Sequence, residues 1–103
     1  MTAVPNSGFR RCLGLVKADF ANATSIAAYA FYQCTHLETL ILRSNSICTL
    51  ANTTTALNET LIVKGTGYVY VPSALVDSYK AATNWTTYAN QFRAIEDYPD
   101  ICG

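Results

Sequence analysis

Charge is scarce in this chain. Only 14% of its 103 residues are charged, seven acidic against seven basic, and they are scattered along the sequence. Without a basic cluster there is no electrostatic footprint for DNA, RNA or an anionic membrane, so nucleic acid is not an expected partner. No apolar run reaches the roughly eighteen residues that a membrane span needs, and membrane insertion is not expected either. The opening stretch MTAVPNSGFRRCLGL lacks the order of a secretory signal, because its arginines come late and no long apolar region follows.

Reactive constellations are equally sparse. None of the four cysteines (Cys12, Cys34, Cys48 and Cys102) sits in a CxxC pair, which argues against a structural metal. The single histidine, His36, lies two residues from Cys34 in an irregular turn, where the two side chains are expected to point apart. A cysteine nucleophile needs a base and an orienting group, so catalysis is not expected there. Gly65-Thr66-Gly67 is two glycines in a turn with no helix opening after it, unlike a phosphate loop. Glu96, Asp97 and Asp100 read as a solvated tail rather than a cation site. No metal and no cofactor is expected.

What is present is apolar. Half of the residues are hydrophobic, and the length fits one domain with one core. Four N-x-[ST] sequons occur, at Asn22, Asn52, Asn58 and Asn84, and they matter only in a eukaryotic secretory pathway.

Shifting the chain by 22 residues against itself exposes its organisation. Phe9, Cys12 and Leu15 fall on Phe31, Cys34 and Leu37, and Ala18 and Phe20 fall on Leu40 and Leu42. That period lies in the range of leucine-rich repeats, in which each unit contributes one short strand and a return segment. The stretch Leu37-Glu38-Thr39-Leu40-Ile41-Leu42-Arg43-Ser44-Asn45 spells L-x-x-L-x-L-x-x-N. Leu40 and Leu42 alternate on a strand and face inward, Leu37 turns in from the approach, and Asn45 is expected to bond backbone at the following bend. A third, degenerate unit has Ala56-Leu57 in place of Ala30-Phe31, Thr60 where the cysteine would be, and a strand at Val69-Tyr70-Val71. Its longer spacing implies an enlarged loop between Cys48 and Gly67, with turns at Thr53–Thr55 and Gly65–Gly67.

After Pro72 the pattern changes. Ser73 is placed to cap a helix running to about Ala82, with Leu75 and Tyr79 on one face. Asn84 is placed to cap a second helix carrying Trp85, Tyr88 and Phe92, and Arg93-Ala94-Ile95 reads as a last short strand. Such an element closes the apolar end of a repeat stack.

The run TSIAAYAFYQCTHLETLIL resembles the bacterial BspA-like leucine-rich repeat family, with its S-I-x-x-x-A-F-x-x-C-x-x-L unit at Ser25, Ile26, Ala30, Phe31, Cys34 and Leu37. The tail GYVYVPSALVDSYKAATNWTTYANQFRAIEDYPD looks like the C-terminal end of such proteins. The resemblance implies an α/β repeat fold, a short leucine-rich repeat solenoid of about two and a half to three repeats with a helical C-terminal cap. Residues 1–11 would be a lead-in or partial repeat, 12–72 the repeats and 73–103 the cap. It also implies a non-catalytic binding or adhesion module for a protein or glycan, extracellular or at the cell surface. Because the chain begins mid-repeat, a fragment of a longer exported protein is the expectation. The alternative is a structural, self-assembling or display component, for example of a phage particle.

The expected core comprises Cys12, Phe31, Cys34, Leu37, Leu40 and Leu42. Cys12 and Cys34 occupy one position in successive units and read as reduced thiols packed as small hydrophobes. A disulfide between them needs Cα atoms within about 7 Å, and return segments of such repeats spread wider. If the core residues face in, Lys17, Asp19, Thr39, Ile41, Arg43, Tyr68 and Tyr70 face out and form the candidate binding surface. The first strand would leave an unpaired edge, to be covered by residues 1–11, by a second copy in a homo-oligomer, or by nothing.

Overall fold

Lys17 lies beside Thr39, Ala18 beside Leu40, Asp19 beside Ile41 and Phe20 beside Leu42 in a parallel pair. The 22-residue offset read from the sequence is therefore the register of a sheet. The computed structural model describes residues 3–4, 9, 11–51, 56–57, 59–82 and 84–102. The Thr53–Thr55 turn, the sequons at Asn52 and Asn58, the Cys102 side chain and most of the 1–11 lead-in fall outside them.

Two parallel sheets organise the described residues. Strands β2 (Lys17–Phe20), β4 (Thr39–Leu42), β6 (Tyr68–Val71) and β7 (Phe92–Ala94) form one, in that order. Strands β1 (Ala3–Val4), β3 (Ser25–Ile26) and β5 (Thr49–Leu50) form the other. Parallel neighbours need a long crossover. Here β2 reaches β4 by way of β3, and β4 reaches β6 by way of β5. The chain from β6 to β7 runs instead through the helical segments between Ser73 and Gln91. The spacing stays at 22 residues from Ala3 to Ser25 but grows to 24 from Ser25 to Thr49 and to 29 from Thr39 to Tyr68. The added residues enter the loops, and the strands keep their alignment.

The same turn closes each return segment. The amides of Cys12, Cys34 and Thr60 donate to the carbonyls of Phe9, Phe31 and Leu57, each at 3.1 Å. The residue before each of these, Arg11, Gln33 and Glu59, has a left-handed φ of 56°, 59° and 63°. Neighbouring turns are tied together by Phe9 N–H to Ala30 O (2.8 Å) and Phe31 N–H to Ala56 O (2.9 Å). The rings of Phe9 and Phe31 stack at 5.4 Å.

One core unites the sheets, with Phe31, Cys34, Leu37, Leu40 and Leu42 fully buried as expected. Cys12 is only half-buried against it, because no coil among the described residues lies on its far side. Thr60 replaces the cysteine by donating its hydroxyl to Leu57 O at 2.8 Å. Asn45 is exposed rather than tucked under its bend; Ser44 Oγ closes that bend by accepting the Ser46 amide. Gly67 packs so closely that a Cβ would stand 2.6 Å from Glu38 O.

The C-terminal part departs from the expectation of two side-chain-capped helices. Ser73–Leu75 is a 3₁₀ turn that leads into α1 (Val76–Ala81), and Ser73 offers no capping bond. Its hydroxyl and amide donate instead to Glu96, at 2.9 and 3.0 Å. Trp85–Gln91 is 3₁₀ and broken at Tyr88, and Asn84 before it is left-handed at φ 68° with no capping bond. Asn84 donates to Leu50 O, Trp85 Nε1 donates to Cys48 O at 2.6 Å, and the Tyr79 hydroxyl accepts the Cys48 amide. These three side chains satisfy backbone groups of Cys48 and Leu50 on the side of β5 away from β3, where no strand lies among the described residues. Ile95 leaves β7 for a 3₁₀ turn, Ile95–Asp97, and α2 (Pro99–Cys102) follows.

Candidate functional site

Register places the expected surface residues in two rows across the four-stranded sheet. Lys17, Thr39 and Tyr68 make one row and Asp19, Ile41 and Tyr70 the other, which Arg93, outside the expected set, extends; Arg43 follows the end of β4. Lys17 and Asp19 are exposed, while Arg43 and Tyr68 are half-buried. Thr39, Ile41 and Tyr70 are buried, and their expected exposure is corrected here.

The physical reason is the tail. Ile95, Tyr98 and Ile101 fold back over Ile41 and Tyr70 and make a second, smaller apolar cluster with Tyr68. Tyr98 meets Tyr70 edge-on with ring centres 5.3 Å apart. Lys17 Nζ donates to the Ile101 carbonyl. A parallel sheet is stable when both faces are covered, and this segment covers the second face. Its apolar residues are separated by acids and a proline, so the sequence reads as a solvated tail. The one signal that points to them is their spacing of three, Ile95 to Tyr98 to Ile101.

Around the filled centre runs a polar margin. Arg43 donates twice to Asp19, with both bonds at 2.8 Å. Those bonds hold the Asp19 carboxyl below its ordinary value, with Lys17 adding attraction. The Arg93 guanidinium sits 4.5 Å from the centre of the Tyr68 ring, a cation–π geometry. Arg93 Nη1 donates to Asn90 O and Phe92 O, which fixes it in place. Nothing in the sequence singles out Arg93, because Arg93-Ala94-Ile95 reads there as a closing strand only.

No family model, curated protein or solved structure matches this chain.

The thiols and the histidine point to structural roles. Cys12, Cys34 and Cys48 are free thiols. Cys34 donates to Phe9 O at 2.7 Å, and burial pushes its pKa up. Burial pushes Cys48 up to about 12. His36 Nδ1 donates to Leu13 O at 2.8 Å, joining one return segment to the previous one. Cys34 and His36 are thus engaged with different carbonyls. Among the described residues, no group of three His, Cys, Asp or Glu side chains is arranged to hold a metal. No helix among them is long and apolar enough to cross a membrane.

Proposed function

We propose that the chain is a short scaffold of the leucine-rich repeat kind and a non-catalytic binding module for a protein or glycan, working at the cell surface or outside the cell. The repeat reading is supported by the recurrent turn at Arg11, Gln33 and Glu59 and by the in-register parallel strands. The non-catalytic reading is supported by buried thiols of raised pKa and a histidine tied to a neighbouring carbonyl. Buried, protonated thiols also resist oxidation, which is compatible with an oxidising surrounding.

The observation that carries the binding reading is Tyr68. It is half-exposed on a paired strand, braced by Tyr70 on one side and by Arg93 over its ring. A tyrosine held in this way loses little conformational freedom on binding. Lys17, Asp19 and Arg43 add charge along the same margin. The test is a printed oligosaccharide array and a displayed-peptide library, read with the unaltered chain and with Tyr68→Ala and Arg93→Ala. Ligands lost in both variants support the reading. Ligands bound equally well by both variants, or no ligand from either library, overturn it.

A second reading, a self-assembling structural component, is favoured by an asymmetry of ends. The outer side of β5 is satisfied by Tyr79, Asn84 and Trp85. At the opposite end β2 pairs only with β4 among the described residues. Leu13 and Val16, in the segment leading to β2, are 52% and 50% exposed.

A further inference from the structure

The β2 edge has a specific polarity. Thr39 N–H donates to Val16 O at 3.1 Å, and Arg43 N–H donates to Phe20 O at 3.0 Å. Successive strand residues aim their backbone groups to alternate sides, so Val16, Ala18 and Phe20 address β4. Lys17 and Asp19 therefore aim their amides and carbonyls at the edge that carries no partner strand among the described residues. Their side chains stand on the outward face and are exposed, while Ala18 is buried against the core.

We infer that two copies of this chain pair through β2 as an antiparallel, two-fold dimer centred on Ala18. The inference rests on the assembly reading and makes it specific. With the axis at Ala18, Lys17 of one copy stands opposite Asp19 of the other, and the reverse holds by symmetry. Residues 17 and 19 are the ones whose backbone groups face out, so both become hydrogen-bonded antiparallel pairs that exchange N–H and C=O bonds. Their side chains fall on the same face as opposite charges. An axis at Lys17 would set Lys17 against itself, and an axis at Asp19 would set two carboxylates together. Charge therefore selects the central register. Asp19 retains acceptor capacity beyond its two bonds from Arg43.

Head-to-tail growth of β2 onto β7 of another copy is disfavoured. The three-stranded sheet could not continue there, because cap side chains already occupy the outer backbone groups of β5. The contact is isologous, and it closes at two copies.

The test is sedimentation velocity across a concentration series, with circular dichroism confirming the fold of each variant. Lys17→Glu alone and Asp19→Lys alone each create like-charge pairs and weaken dimerisation by about tenfold or more. An equimolar mixture of these two variants restores both attractive pairs and dimerises. A concentration-independent monomer for the unaltered chain overturns both the inference and the assembly reading. Dimers that persist undiminished in both single variants overturn this register and leave the assembly reading standing, as do open, growing oligomers. Should a variant fail to fold, hydrogen exchange on the unaltered chain decides: the Lys17 and Asp19 amides must gain protection with concentration. Exchange at these amides that does not vary with concentration overturns the inference.

Discussion

The Tyr79 hydroxyl accepts the Cys48 amide at 2.7 Å, across 31 residues of chain. Both groups are buried, and the same tyrosine ring meets Trp85 edge-on at 5.6 Å. Tyr79→Phe keeps the ring and removes the acceptor, which leaves a buried amide unsatisfied. The expected loss is about 1–3 kcal/mol of unfolding free energy, measured by urea denaturation followed through Trp85 fluorescence. An unchanged midpoint would show that the bond contributes nothing.

Gln33 holds a left-handed backbone at φ 59°. A side chain there costs roughly 1 kcal/mol that glycine avoids. Gln33→Gly is therefore expected to be neutral or to raise the melting temperature, although glycine usually destabilises. Gln33→Val, β-branched at the same backbone angle, is expected to lower it. The reverse ranking in a thermal melt would refute the strain argument.

Gly67 illustrates the opposite constraint. A Cβ there would meet Glu38 O at 2.6 Å and Ile62 N at 2.9 Å, both backbone atoms. Neither can swing aside, so Gly67→Ala must move the chain between β4 and β6. A loss of about 1–3 kcal/mol is expected from such overpacking. Gly65→Ala meets no neighbouring atom within 4 Å and is strained only by its φ of 88°. Chemical denaturation of the two variants separates packing from backbone strain, with Gly67→Ala expected to be the more damaging.

Tyr98→Ala removes a ring from the cluster over Ile41 and Tyr70. The expected cost is about 2 kcal/mol, below that of a fully buried aromatic because Tyr98 is half-exposed. Binding of a fluorescent apolar dye should increase as Ile41 and Tyr70 become accessible. Dye binding equal to that of the unaltered chain would mean that the face is covered by something other than this segment.

Alkaline pH should destabilise the fold. Burial raises Cys48 from an ordinary value of 9.0 to about 12 and Tyr79 from 10.0 to about 12. Each is a neutral acid whose folded pKa exceeds its unfolded one, so the contribution is complete below the unfolded value. It is lost as pH rises from about 9 toward 12, where the unfolded chain gives up these protons first. Melting temperature should fall over that window, and in Cys48→Ala the fall between 9.0 and 10.0 should be shallower, with buried Cys34 still contributing to it. A flat profile between the two values would contradict the burial of these groups.

How far the fold was legible in the sequence depends on which atoms carry each feature. The register of β2 on β4 was visible because stacked units must bury similar side chains at equal spacing, and Phe9/Phe31 and Leu15/Leu37 do so. The left-handed turn was not visible, since Arg11, Gln33 and Glu59 share no glycine or asparagine to announce it. Nor was the sheathing of β5, in which Tyr79, Asn84 and Trp85 serve backbone groups far away in the chain. Asn84 in particular reads as a helix cap, yet its amide reaches Leu50 O instead. The candidate face was half legible. Strand alternation placed Ile41 and Tyr70 on the correct side, but nothing local showed that Tyr98 and Ile101 return to cover them.

The unequal spacing of the strands has a consequence for how such a chain tolerates change. Lys17 to Thr39 spans 22 residues, Thr39 to Tyr68 spans 29 and Val69 to Phe92 spans 23, yet all three pairs are parallel and aligned. Length is absorbed at the corners, outside the hydrogen-bonded ladder. The exposed tips of those corners, residues 45–46 and 63–65, are therefore slack in the design, while Cys48 and Gly67 beside them are held in place. Foreign peptide spliced into the tips would hang from the frame as freight, while the strands on either side keep their partners.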